Sequence, residues 1–217
     1  MEADRSAQQQ DPGTDDRNGS APATLDRALA SGRDLRAAVL VEGTSDEQAV
    51  EALARRRGRD LLAEGVAVVP IGGATNIGRF LDALGPAGLD LQLAGLCDAA
   101  EEGYFQRGLE RAGLGSGLTR AAMESLGFYV CVDDLEDELI RALGVAAVER
   151  VVDAQGDLGS FRILQKQPAQ RGRPSHAQLQ RFLGTRSGRK TSYGRLLVDA
   201  LDLAQMPRPL DRVLDHI

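Results

Sequence analysis

Carboxylates recur in this sequence directly after short apolar runs. Glu42 follows RAAVLV (36–41), Asp98 follows LQLAGLC (91–97), and Asp133 and Asp134 follow FYVCV (128–132). Carboxylates gathered at one edge of a fold repel one another unless a cation sits between them. Oxygen ligands of this kind suit Mg2+ or Mn2+, with phosphate oxygens completing the shell. A cation so held lowers the pKa of a bound water, orients a phosphate and stabilises charge on the attacking and leaving oxygens. Asp46, Glu101, Glu102 and the acids up to Glu138 extend the candidate set, enough for one ion or two. A positive side chain beside them would stabilise added charge on phosphorus, and Lys190 is a candidate.

The elements that must carry these residues are short strands alternating with helices. The runs at 36–41, 66–71 (VAVVPI), 91–97 and 128–132 read as buried strands. Helices are expected near 45–57, 76–84 and directly after Asp134, where Leu135, Leu139, Ile140 and Leu143 keep helical spacing. Ser45 with Gln48, or Thr44 with Glu47, fits a capping box at the first of these. Such alternation predicts an α/β fold with a parallel sheet of about four strands. Ligands of such sheets bind beyond the carboxyl ends of the strands, where three of the four runs end in an acid. The second run ends in Gly72-Gly73, suited to tight backbone geometry. Beyond residue 145 the pattern turns helical and basic, with helices expected near 145–154, 175–184 and 191–203.

Charge is unevenly spread. The net charge is −6, yet residues 158–198 hold nine Lys and Arg residues and no Asp or Glu. That third is suited to polyanions and the acidic part to cations. Residues 1–25 are polar and aperiodic and read as a disordered tail. Three segments follow: the tail at 1–25, an α/β catalytic domain at 34–144, and a helical extension at 145–217 that completes the site and contacts nucleic acid. No apolar run approaches the roughly 20 residues of a membrane span, and the first residues lack a signal-peptide pattern. Cys97 and Cys131 lie inside apolar runs with no zinc-type spacing and read as core residues. A soluble, cytoplasmic chain without a membrane partner is expected. GTRSGRKT (184–191) superficially resembles a phosphate loop, but Arg189 stands where that motif requires Gly and no strand precedes it.

Each acid also has a purely structural reading. Asp46, Glu101 and Glu102 suit the first turn of a helix, where the dipole favours negative charge. The run 133–138 holds too many acids for all to be ligands and is expected to face solvent in the main. His176 lacks sequence partners and reads as polar surface. Tyr104, Tyr129 and Tyr193 lack the setting of a nucleophilic tyrosine.

Taken together, VEGTSD (41–46), Gly72-Gly73 with Asn76, and Leu96-Cys97-Asp98 resemble the toprim domain of topoisomerases, primases and several nucleases. DLEDEL (134–139) and GRKTSYG (188–194) resemble the C-terminal half of the OLD (overcoming lysogenisation defect) family nucleases. The likeness spans about Ala37 to Leu201. It implies a Rossmann-like toprim sheet with a helical basic extension, and a metal-dependent endonuclease hydrolysing DNA phosphodiester bonds. It implies Glu42, Asp46, Asp98 and Glu136 as ligands of Mg2+ or Mn2+, and Lys190 near the scissile phosphate, with Glu42 and Lys190 in the catalytic role. Two departures matter. The family's Asp-x-Asp is here Asp98-Ala99-Ala100, so Glu101 or Glu102 is the candidate replacement, and Glu102 is carried as a fifth ligand. The ATPase domain that precedes toprim in this family is missing, which implies a separately encoded ATPase or helicase as partner, beside DNA and self-association as a homodimer. The alternative is a non-catalytic toprim module that binds nucleic acid or a protein.

Overall fold

A computed structural model describes residues 34–184 and 187–217, apart from the side chains of 187–192. The four expected strands form one parallel sheet: β1 (Ala37–Val41), β2 (Val66–Pro70), β3 (Gln92–Cys97) and β4 (Phe128–Val130). Their order is β2-β1-β3-β4, so the two strands that precede Glu42 and Asp98 are neighbours. Register pairs Val41 with Pro70 on one side and with Leu96 on the other, which brings the carboxyl ends of the three longer strands into line.

Both faces of the sheet are covered, which explains why its strands read as continuous apolar runs. Alternate side chains point to opposite faces. Ala37, Val39 and Val41 enter one core, and Ala38 and Leu40 enter the other. The second core is closed by α2 (Ile77–Leu84), α3 (Glu102–Arg111) and α4 (Arg120–Ser125), through Ile77, Phe80, Phe105, Leu109 and Met123. The first is closed by α1 (Thr44–Arg56) and by the later helices. These are α5 (Leu135–Leu143), α6 (Val145–Ala154), α7 (Leu158–Lys166), α8 (Ser175–Leu183), α9 (Ser187–Ala200) and α10 (Arg208–Asp215). Phe161, Phe182, Leu197 and Leu214 therefore share one continuous core with Val39 and Leu53.

A long-range joint binds α1 to α9. Gly194 is buried, and a Cβ there would lie 2.7 Å from the Ser45 carbonyl oxygen and 2.9 Å from its hydroxyl oxygen. Only glycine permits that approach without displacing backbone. At the other end of α1, Arg56 donates hydrogen bonds to the carbonyls of Val198 (2.6 Å) and Leu201 (2.5 Å), satisfying the exposed end of α9. Arg57 continues the joint by pairing with Asp211 and Asp215 on α10.

Several expectations shift. The helix expected at 191–203 begins at Ser187 and ends at Ala200, α3 starts where Glu101 and Glu102 suited a first turn, and α4, α7 and α10 were not foreseen. The capping boxes on Ser45 and Thr44 are replaced by a different start. Gly43 is the N-cap and has no side chain to contribute, while Asp46 Oδ2 accepts its N–H at 3.0 Å. The acids of 136–138 do not face solvent: Glu136, Asp137 and Glu138 are all buried.

Candidate metal centre

The site lies where the strands end. Glu42 leaves β1, and its Oε1 accepts the backbone N–H of Asp98 at 2.8 Å, so the acids ending two adjacent strands are directly linked. The Glu42 carbonyl also accepts the N–H of Gly73 at 3.1 Å. Gly72 and Gly73 have φ of +72° and +107°, left-handed backbone that a side chain would strain. Asn76 Nδ2 fastens the turn by donating to the carbonyls of Ile71 (3.0 Å) and Gly72 (3.1 Å). Three of the four strand ends are thereby bound to one another.

A third acid arrives from α5. Asp134 caps this helix, its Oδ1 accepting the Asp137 N–H at 2.7 Å. The cap aims the first turn at α1, where Ser45 Oγ donates to Glu136 Oε1 at 2.7 Å. Ser45 and Glu136 are 5% and 4% exposed, so this hydrogen bond lies inside the fold. Glu42, Asp46, Asp98 and Glu136 each have further contacts. Among the described residues, no three His, Cys, Asp or Glu side chains already converge as a ligand group. The donor set nevertheless fits a hard divalent cation in kind, being carboxylate oxygen throughout, and the fit is weakened where Ala100 stands.

The two cysteines report the field around these acids. Burial pushes the Cys131 thiol far up, and the negative charges of Asp98, Glu138 and Asp46 push it further. Burial does the same to Cys97, aided by Glu42, Asp98 and Glu102. Carboxylates from β1, β3, α1 and α5 thus act on two adjacent buried thiols. Both remain thiols and offer no thiolate ligand or nucleophile.

Other candidates are engaged elsewhere. Glu102 receives a bidentate ion pair from Arg120, at 3.1 and 2.5 Å, which holds its carboxyl below the usual range. Glu138 was not singled out in the sequence. It is 9% exposed, accepts the Val132 N–H at 2.9 Å and pairs with Arg141 at 3.0 Å. Asp137 pairs with Arg141 at 2.7 Å and with His176, so His176 is a partner of a buried acid and not bare polar surface. Lys190 lies on α9, and its side chain is outside the described residues. In the basic third, Arg162 pairs with Glu149 and Arg195 with Asp199, while Arg186 and Arg189 fall outside the described side chains.

The fold is thus a parallel α/β sheet of order β2-β1-β3-β4 with acids at its carboxyl edge. Residues 35–99 match the family model described as Overcoming lysogenization defect protein-like, TOPRIM domain. The solved structures with this fold include the C-terminal region of the Burkholderia pseudomallei OLD protein. It is 19% identical with a TM-score of 0.62, and the match covers 84% of this chain and 96% of that one. Two structures of the C-terminal region of the Xanthomonas campestris pv. campestris OLD protein also match. They are 23% and 22% identical, with TM-scores of 0.62 and 0.63, covering 84% of this chain and 94% and 93% of those. No curated protein matches the chain. The resemblance to an OLD-like toprim domain is thus borne out by the match over residues 35–99, and the predicted parallel α/β fold by the sheet and by these structures. Toprim domains as a class bind Mg2+ through acidic residues. No helix among the described residues is long and apolar enough to cross a membrane.

Proposed function

We propose that this chain is a divalent-metal-dependent nuclease module that hydrolyses DNA phosphodiester bonds. The observation that supports this reading is that Glu42 Oε1 accepts the Asp98 N–H, which links the acids ending two adjacent strands, while Ser45 on the helix after Glu42 holds Glu136. Glu42, Asp46, Asp98 and Glu136 would hold Mg2+ or Mn2+. The bound ion would activate water and stabilise charge on the phosphate oxygens. The chain's own residues provide the rest. Ser45 fixes Glu136, the Gly72-Gly73 turn fixes Glu42, and Lys190 is assigned to the phosphate undergoing attack. The Arg-rich helices beyond residue 158 contact the DNA backbone, where affinity comes from phosphate charge. An ATPase or helicase is the proposed protein partner.

Ala100 favours a second reading, a toprim module that binds nucleic acid without cutting it, because a ligand position of the usual Asp-x-Asp is missing. Supercoiled plasmid incubated with Mg2+ or Mn2+ separates the two. Nicking by the wild-type chain that is abolished in Glu42→Ala supports the nuclease. Plasmid binding by a wild-type chain that never nicks supports the binding module.

A further inference from the structure

Beside the acidic edge lies a surface hollow of about 570 Å³ lined by Thr75, Tyr104, Arg107, Glu110 and Arg111. Its two walls leave the same strand ends as the candidate site. Thr75 stands two residues past Gly73, whose N–H is bound to the Glu42 carbonyl. Tyr104 lies in the first turn of α3, and the chain from Asp98 to Tyr104 is fastened by Glu101 N–H to the Asp98 carbonyl (3.0 Å) and Tyr104 N–H to the Glu101 carbonyl (2.9 Å).

The chemistry of the hollow is unusual for a chain with so few aromatic residues, 4% of the total. Tyr104 is 41% exposed, one of few large apolar side chains left at the surface. The Arg107 guanidinium lies over its ring, 5.0 Å from the centroid. Neither Arg107 nor Arg111 has a carboxylate partner among the described residues, and Arg111 Nε donates only to the Arg107 carbonyl, at 3.3 Å. Glu110 also lines the hollow, its Oε1 accepting the Leu118 N–H at 2.9 Å, so one carboxylate stands beside two guanidinium groups and the hollow keeps an excess of positive charge. An exposed ring stacked with one cation and flanked by another is the pattern that holds a base and its phosphates.

We propose that this hollow seats one unpaired nucleotide of single-stranded DNA, its base on Tyr104 and its phosphates against Arg107 and Arg111. The proposal deepens the nuclease reading and rests on it, since it names the preferred substrate as DNA with a single-stranded segment beside the cut. A duplex cannot use the hollow, because stacking on Tyr104 needs a base face that pairing and neighbouring bases cover. The volume falls within the range of small-ligand pockets, enough for one nucleotide and too little for a helix.

The test measures binding by fluorescence anisotropy in EDTA, with the full chain, a short oligothymidylate and a blunt duplex. Tyr104→Ala is expected to lose about tenfold in affinity for the single strand, equal to about 1.4 kcal/mol, and to change duplex affinity less than about twofold, within the noise of non-specific phosphate contacts. Tyr104→Phe is expected to bind as the wild type. A strand carrying 2-aminopurine is expected to be quenched by the wild type and by Tyr104→Phe, and not by Tyr104→Ala. Circular dichroism melts show that each variant is folded. Equal single-strand affinity in Tyr104→Ala, or an equal loss on duplex, overturns the proposal. So does competition by free dAMP as strong as that by the oligonucleotide, which would make the hollow a mononucleotide site. Nicking without single-strand preference leaves the nuclease reading standing and this proposal refuted. Tyr104-dependent strand binding without nicking does the reverse.

Discussion

Ser45→Ala tests the strut on which the candidate site depends. The change removes one hydroxyl and with it the 2.7 Å hydrogen bond to Glu136 Oε1. Both residues are buried, so water cannot readily replace the lost donor. A hydrogen bond to a charged group contributes about 1.5–3 kcal/mol. Alanine recovers at most about 0.5 kcal/mol through its better helix propensity, and less at the first turn. The net expectation is a loss of about 1–2.5 kcal/mol in urea unfolding at neutral pH. The assay is a double-mutant cycle with Glu136→Gln, followed by far-UV circular dichroism. If the strut is real, the two single losses overlap, with a coupling of about 1 kcal/mol or more. Mn2+ should also raise the melting temperature less in Ser45→Ala than in the wild type. A loss below about 0.5 kcal/mol, the level of an ordinary surface change, or strictly additive losses, would refute the account of how Glu136 is held.

Two further expectations follow from the charges. The Cys97 and Cys131 thiols are buried and their ionisation is pushed well above the ordinary range, so a disulfide reagent at mildly alkaline pH should modify neither until urea unfolds the chain; reaction at the rate of a free thiol would show the acidic edge is open to solvent. Glu102 and Glu124 are held below the usual 4.5 by hydrogen bonds from Arg120 and Arg208, so they stabilise the fold above that value and lose the contribution as pH falls through their lower folded values. Both pairs are partly exposed, so together they are worth no more than about 1 kcal/mol. Replacing both arginines with alanine should flatten the fall in urea midpoint below pH 4.5 without moving the neutral value by more than that, and an unchanged slope would count against the pairs.

The sheet was legible because both its faces are buried. Each strand is then an unbroken apolar run, and the acids stand out at the ends of those runs. The helices that escaped notice are short, and others show little beyond their first turn because their residues weaken the signal. In α3, Gly103 and Gly108 interrupt a pattern whose buried side chains are only Phe105 and Leu109. The acids of 136–138 were misread for a different reason. Their burial depends on Ser45, Arg141, His176 and the Val132 N–H, and all but Arg141 are remote or belong to the backbone. Glu136 could be picked out by resemblance, but no local pattern reveals that Glu138 is equally enclosed. Residues 145–217 look like an appendage in sequence, since periodicity describes a helix and not what it packs against.

The contact of Gly194 with Ser45 sets the order in which the site can come into being. These residues are roughly 150 positions apart, and Arg56 must likewise wait for Val198 and Leu201. At about 5–20 residues per second, a ribosome needs about 8–30 s to bridge that gap. During that interval the residues of α9 that pack on α1 have not yet been made, and the acids of the site lack the helix that packs beside them. Loop closure over such a span also slows folding relative to local contacts. The nascent chain therefore carries an incomplete acidic edge for much of its synthesis, and the centre is assembled only as α9 docks.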